Sequence, residues 1–157
     1  MALDLAIFIF IAWVVISVYI FVPKKLSMIE SFLLFFLFTI ITMNIFTILD
    51  LNLNLFQHSE QVNLFISFWL LRNIITPLFL VIFVNYMIYF KRKLTKFVVA
   101  VLIFFILYLI NLLAFGVGLM TCASNLYLGS AVVLATLMLL AFLTMKLVTK
   151  LPEGKSK

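Results

Sequence analysis

Apolar residues run along this chain in blocks of about twenty, and the polar positions gather in short gaps between them, without the strict alternation that marks a half-buried strand. The blocks cover 5–22, 31–50, 70–90, 97–119 and 127–145, and the gaps read "VPKKLSMIE", "DLNLNLFQHSEQ", "KRKLTK", "TCASNL" and a tail from Lys146. A helix that crosses a bilayer needs about 20 mostly apolar residues, so the pattern predicts five spans. None of the gaps is long enough for a folded module, and residues 1–157 read as one transmembrane domain.

Composition sharpens this picture. Hydrophobic residues make up 68% of the chain and charged residues 10%, against roughly 25% charged in an ordinary soluble domain. A transmembrane β-barrel would show alternating segments of about 10 residues, whereas these blocks are apolar on every side. Helices are the remaining way to satisfy a backbone in lipid, and the expected fold is an all-α, polytopic transmembrane helix bundle. "MALDLAIFIF" lacks the basic lead of a signal peptide, so the first block is expected to stay as a span. The single cysteine, Cys122, offers neither an intrachain disulfide nor a Cys-x-x-Cys pair.

Charge supplies the expected threading, because loops kept in the cytoplasm carry the excess of Lys and Arg. Five crossings put Lys24, Lys25, Lys91, Arg92, Lys93, Lys96, Lys146, Lys150, Lys155 and Lys157 on one side. The other side receives Asp4, Asp50, His58, Glu60 and one cation, Arg72. The expectation is an N-terminus outside and a C-terminus inside. Tyr19, Tyr86 and Tyr89 near inner ends, with Trp69 and Tyr127 near outer ends, suit the aromatic belts, while Trp13 and Tyr108 lie deeper. "KRKLTK", with Lys91, Arg92, Lys93 and Lys96, is expected to attract anionic lipid at the cytoplasmic face, at about 1 kcal/mol per cation. It is too short, and too close to lipid, to read nucleic acid.

The third block is the least ordinary. Residues 62–90 would make a helix about 43 Å long, but the hydrocarbon core is only about 30 Å thick. Anchoring its inner end at "YMIYFKRK" leaves Arg72 about 27 Å from Lys91, at the outer boundary. Centring the span on Arg72 would instead cost about 2.5 to 3.5 kcal/mol for an unpaired arginine. Residues 62–69 then either lie along the interface or extend the helix. Pro77 cannot donate to the Asn73 carbonyl four residues back, which predicts a kink there.

Other polar residues match that depth. Asn44 lies about 20 Å and Asn111 about 21 Å above the inner boundary. Together with Asp50, Arg72 and Asn73 they form an expected outer-leaflet cluster facing the bundle interior, as a ligand or partner site. Ordinary interhelical hydrogen bonding and snorkelling of Arg72 to outer phosphates are the plainer alternatives. Ala114 with Gly118, and Ala131 with Ala135, are each four apart, a spacing that lets helix backbones approach, and "TCASNL" is short enough to make blocks four and five an antiparallel hairpin. "GVG" at 116–118 completes no nucleotide fingerprint.

No reaction is legible. His58 and Glu60 would give a metal only two ligands, no serine, histidine and acid set assembles, and no carboxylate sits mid-span as a proton relay needs. No cofactor or metal is implied, and the chain reads as something other than an enzyme. Three functions remain in order: an accessory or interaction subunit working through helix packing with itself or a membrane partner; an oligomeric transporter or channel component with an outer polar site; and a lipid-acting enzyme that holds a phosphate on Arg72. Secondary transporters usually carry repeated halves with broken helices, and one proline break is seen here.

"FVPKKLSMIESF" and "LLRNIITPLFLVIFVN" resemble stretches of small multispan membrane proteins of spore-forming Firmicutes. The likeness covers under a fifth of the chain. It implies a bacterial cell membrane and brings no activity or site residue with it.

Overall fold

The computed structural model describes residues 2–48, 57–58, 61–121 and 126–148. Among them are five helices long and apolar enough to cross a membrane: α1 (Ala2–Phe21), α2 (Met28–Thr47), α3 (Val62–Tyr89), α4 (Lys93–Gly116) and α5 (Leu126–Val148). A two-residue antiparallel ladder joins the connections at the far end, pairing Gln57 with Thr121 and His58 with Met120.

The bundle is organised around α3. Over its most apolar stretch 56% of the residues are buried, against 17% in α1, 28% in α2, 22% in α4 and 33% in α5. Every other helix turns a single stripe inward. In α1 that stripe is Phe8, Ala12 and Val15, in α2 Ser31, Leu34, Phe38, Thr42 and Phe46, and in α4 Ile103, Leu107, Asn111 and Ala114. These spacings of three and four are the repeat of one helical face. The remaining faces are just as apolar, exposing Phe10, Trp13, Phe32, Leu102 and Phe105 among others. Such all-round apolarity belongs to helices that are wholly buried or surrounded by lipid.

Helix boundaries follow from local chemistry. α2 begins three residues earlier than its apolar block because Ser27 and Glu30 close a capping box. The Ser27 N–H donates to Glu30 Oε2 at 2.7 Å, and the Glu30 N–H donates to Ser27 Oγ at 3.2 Å. α4 ends in a Schellman turn, in which the Leu119 N–H donates to the Ala114 carbonyl and the Gly118 N–H to that of Phe115, both at 3.0 Å. Gly118 holds φ +80°, so it serves a backbone turn. This corrects its expected role as a packing residue, since a Cβ placed there would meet nothing within 4 Å. Ala114 is fully buried as expected, but Ala131 is half-buried and Ala135 exposed. The inward stripe of α5 is instead Ser130, Leu134, Leu137, Met138, Ala141 and Met145.

Residues 62–69 extend α3. At Pro77 the helix slips its register instead of breaking. Residues Leu71–Ile75 form a π-turn, in which the Thr76 N–H reaches the Leu71 carbonyl five residues back. The Thr76 hydroxyl donates to the same oxygen at 2.9 Å. Pro77 thereby falls at the start of the resumed α-helix, where a missing N–H is tolerated.

At the opposite end of α3, Asn85 ties the α1–α2 connection down. Its side-chain oxygen accepts from the Lys25 N–H at 2.8 Å and the Leu26 N–H at 3.3 Å, and its amide donates to the Pro23 carbonyl at 2.8 Å. All polar positions of the carboxamide that face the turn are used. Asn85→Leu should therefore lower stability in a detergent unfolding titration by about 2 kcal/mol, since three backbone groups lose their partner. Gly118→Ala should lower it by about 1 kcal/mol through the left-handed backbone alone.

Candidate functional site

The polar residues of the far half separate into an inward group and an outward one. Phe46 of α2 meets Phe68 of α3 edge to face at 5.9 Å between ring centroids, which fixes the antiparallel register of the two helices. One turn nearer the basic end lie Thr42 on α2 and Arg72 with Asn73 on α3, each about 6 Å along its axis from that ring pair. Asn111 reaches the same level on α4. Ala100 and Phe83 line one groove, and Asn111 and Asn73 stand about 15 to 17 Å beyond them. Thr42, Asn73 and Asn111 are all buried.

Their hydrogen bonding is unequal. Asn111 donates from Nδ2 to the Leu107 carbonyl of its own helix at 2.9 Å. Asn73 is only 6% exposed, yet neither its side-chain oxygen nor its nitrogen has a partner among the described residues, and the Thr42 hydroxyl, on a residue with no exposed surface, has none either. A buried amide left unsatisfied costs about 1 to 3 kcal/mol. The π-turn is what positions it, because Asn73 lies at the centre of Leu71–Ile75. Irregular turns of this kind recur at functional sites.

Of the five residues expected to cluster, Asn73 and Asn111 are buried. Asn73 and Asn111 face inward at one level, and Arg72, half-buried between them and the helix end, holds its guanidinium 5.4 Å from the centre of the Phe68 ring. Asn44 does not join them. It lies on the exposed face of α2 and donates to the Ile40 carbonyl at 2.8 Å, because two residues along a helix is a turn of about 200° from Thr42. Thr42 takes the inward place instead, and a sequence scan for amides and charges passes over a threonine in "FTIITMNIF". Its spacing from Leu34, Phe38 and Phe46 was the available signal. Asp50 lies outside the described residues.

At the basic end, Lys91, Arg92 and Lys93 are exposed and Lys96 is half-buried. The Asn85 clamp brings Lys25 beside the inner part of α3, and Lys96 shares a groove with Phe142 of α5, over whose ring Lys146 sits at 5.0 Å. The described cations other than Arg72 therefore gather at one end of the bundle. Lys24 lies 5.2 Å over the Tyr19 ring, and Tyr86 and Tyr89 both pack on Phe90, giving this end an aromatic collar. Among the described residues no three His, Cys, Asp or Glu side chains come together as a metal site would require.

No family model matches this chain, and no curated protein or solved structure is similar to it.

Two asparagines on one helix make opposite predictions. Asn73→Leu removes an amide that nothing among the described residues satisfies, so the isolated protein should be as stable as wild type or up to about 2 kcal/mol more so. Asn85→Leu, measured in the same detergent titration, should fall in the other direction.

Proposed function

We propose that this chain is a multi-pass protein of a bacterial cytoplasmic membrane, with its N-terminus outside and its C-terminus inside, and that it acts as an accessory subunit by packing helices against a membrane partner. The membrane itself is supported by the apolar outer faces of all five helices. The orientation rests on the gathering of Lys24, Lys25, Lys91, Arg92, Lys93, Lys96 and Lys146 at one end, which is the cytoplasmic end by the distribution of basic residues.

One observation carries the accessory role. Asn44 presents a carboxamide on an exposed side of α2 that also carries Phe36, Leu37, Ile40, Met43, Thr47 and Ile48. Its single hydrogen bond among the described residues uses Nδ2, and its side-chain oxygen has no donor among them. An amide facing lipid near the end of a span is the kind of group by which membrane helices join, each such bond being worth about 0.6 kcal/mol.

A second reading, a transport component, is favoured by a different observation. Asn73 and Thr42 place unsatisfied donors and acceptors inside the bundle at one level, where a small polar solute or water would complete them. Both residues are neutral, so the site suits an uncharged hydrogen-bonding guest better than a bare cation.

In a Cys122→Ser background, Lys93→Cys should be protected from an impermeant maleimide added to intact cells, and Gln61→Cys should react. Asn44→Cys should form an oxidative crosslink to a species of fixed size in native membranes, and Thr42→Cys should not. Migration of the Asn44→Cys protein only as a monomer would remove the accessory role and leave the transport reading.

A further inference from the structure

The exposed Ala135 lies in a groove of about 360 Å³ between α3, α4 and α5 at the basic end. Its floor is Phe83, Met87 and Met138, all nearly inaccessible. Small side chains at Ala100 and Ala135 keep it open, and Lys96 enters its lining. The volume falls within the range of small-molecule sites, about 300 to 1,000 Å³. Just past the rim, Lys146 lies over the Phe142 ring, and Lys91, Arg92 and Lys93 precede α4. Two grooves beside α1, one lined by Trp13 and Tyr86 and another by Tyr19 and Phe35, have no cation in their lining, although Lys24 lies over the Tyr19 ring.

We infer that this groove holds one anionic phospholipid, its acyl chain against Phe83, Met87 and Met138 and its phosphate between Lys96 and Lys146. The assignment rests on the membrane reading above and on complementarity of two kinds in one place. An apolar slot with small-residue walls accepts a hydrocarbon chain, and a cationic mouth at headgroup height accepts a phosphate; basic pockets between membrane helices bind acidic lipid headgroups by this combination. Arg92 caps α4 with no side-chain hydrogen bond among the described residues, so the first N–H groups of the helix and its positive dipole add to the field at the mouth. Lys146 has a position set by its aromatic contact, which keeps its charge near the rim. The loss of close packing at Ala135 has a purpose in this arrangement: a larger residue there would fill the slot.

The test uses the full chain reconstituted into vesicles of phosphatidylcholine containing a minority of phosphatidylglycerol, then released and weighed by native mass spectrometry. Flotation with the vesicles tests the membrane reading separately, and a chain that stays behind overturns both. In a chain that floats, one phosphatidylglycerol should be retained in preference to phosphatidylcholine. Lys96→Gln should lower its occupancy about fivefold, the effect of one cation. Ala135→Trp should abolish retention, while Lys24→Gln and an excess of inorganic phosphate should leave it unchanged. Equal retention of the two lipids, indifference to both Lys96→Gln and Ala135→Trp, or displacement by inorganic phosphate would each overturn the inference.

Discussion

Everything in this molecule is subordinate to one constraint: its outward faces are apolar, so each polar group within the bundle has to find its partner inside the chain or in whatever the chain binds. Most do so locally. Ser17, Thr39, Ser67, Thr136 and Thr144 donate to carbonyls three or four residues back on their own helices, which satisfies a hydroxyl without involving a neighbour. Asn85 instead builds tertiary structure, fastening a connection to the central helix. An apolar residue at position 85 would release that turn from the central helix and leave the Leu26 N–H buried without its partner.

The same constraint explains the central helix. Because lipid tails are as apolar as Leu, helices gain little from burial as such in a membrane and associate through contact and hydrogen bonding. A helix in contact with four others maximises the first, and α3 is that helix. Its sequence pays a local penalty at Pro77, which the π-turn absorbs by moving one hydrogen bond from the fourth to the fifth residue. The turn also rotates the side chains that precede it relative to those that follow. Asn73 enters the core, and Arg72 lies along Phe68.

Much of this could be read from the residues. The five blocks, the clustering of cations at one end and the common depth of Asn73 and Asn111 follow from block length, charge and position, quantities that the sequence controls directly. Helix rotation was harder. Blocks that are apolar all round have no amphipathic signal to say which side faces inward, and for that reason Asn44 was expected in the core while Thr42 was overlooked. Pairs of small residues misled for a related reason. Gly118 belongs to a helix-ending turn and Ala135 to an open groove, two uses of a small residue that spacing alone does not separate from close packing. The Asn85 clamp joins residues about sixty positions apart, and no local pattern announces such a partner.

The two ends of α3 therefore differ in kind. At the basic end the described polar groups serve a fastened turn, an aromatic collar and a cationic rim beside an open groove. In the far half, Asn73 and Thr42 have no structural explanation, since an apolar pair of similar shape would serve the packing better. Groups that weaken a fold and are nonetheless retained at an irregular turn are where a bistable or ligand-responsive element would be built. If a guest completes the amide, it stabilises the π-turn, and the turn's register sets how α1 and α2 pack against α3. Occupancy in the core would then be felt along α2, which carries Thr42 on its buried side and Asn44 on its exposed one.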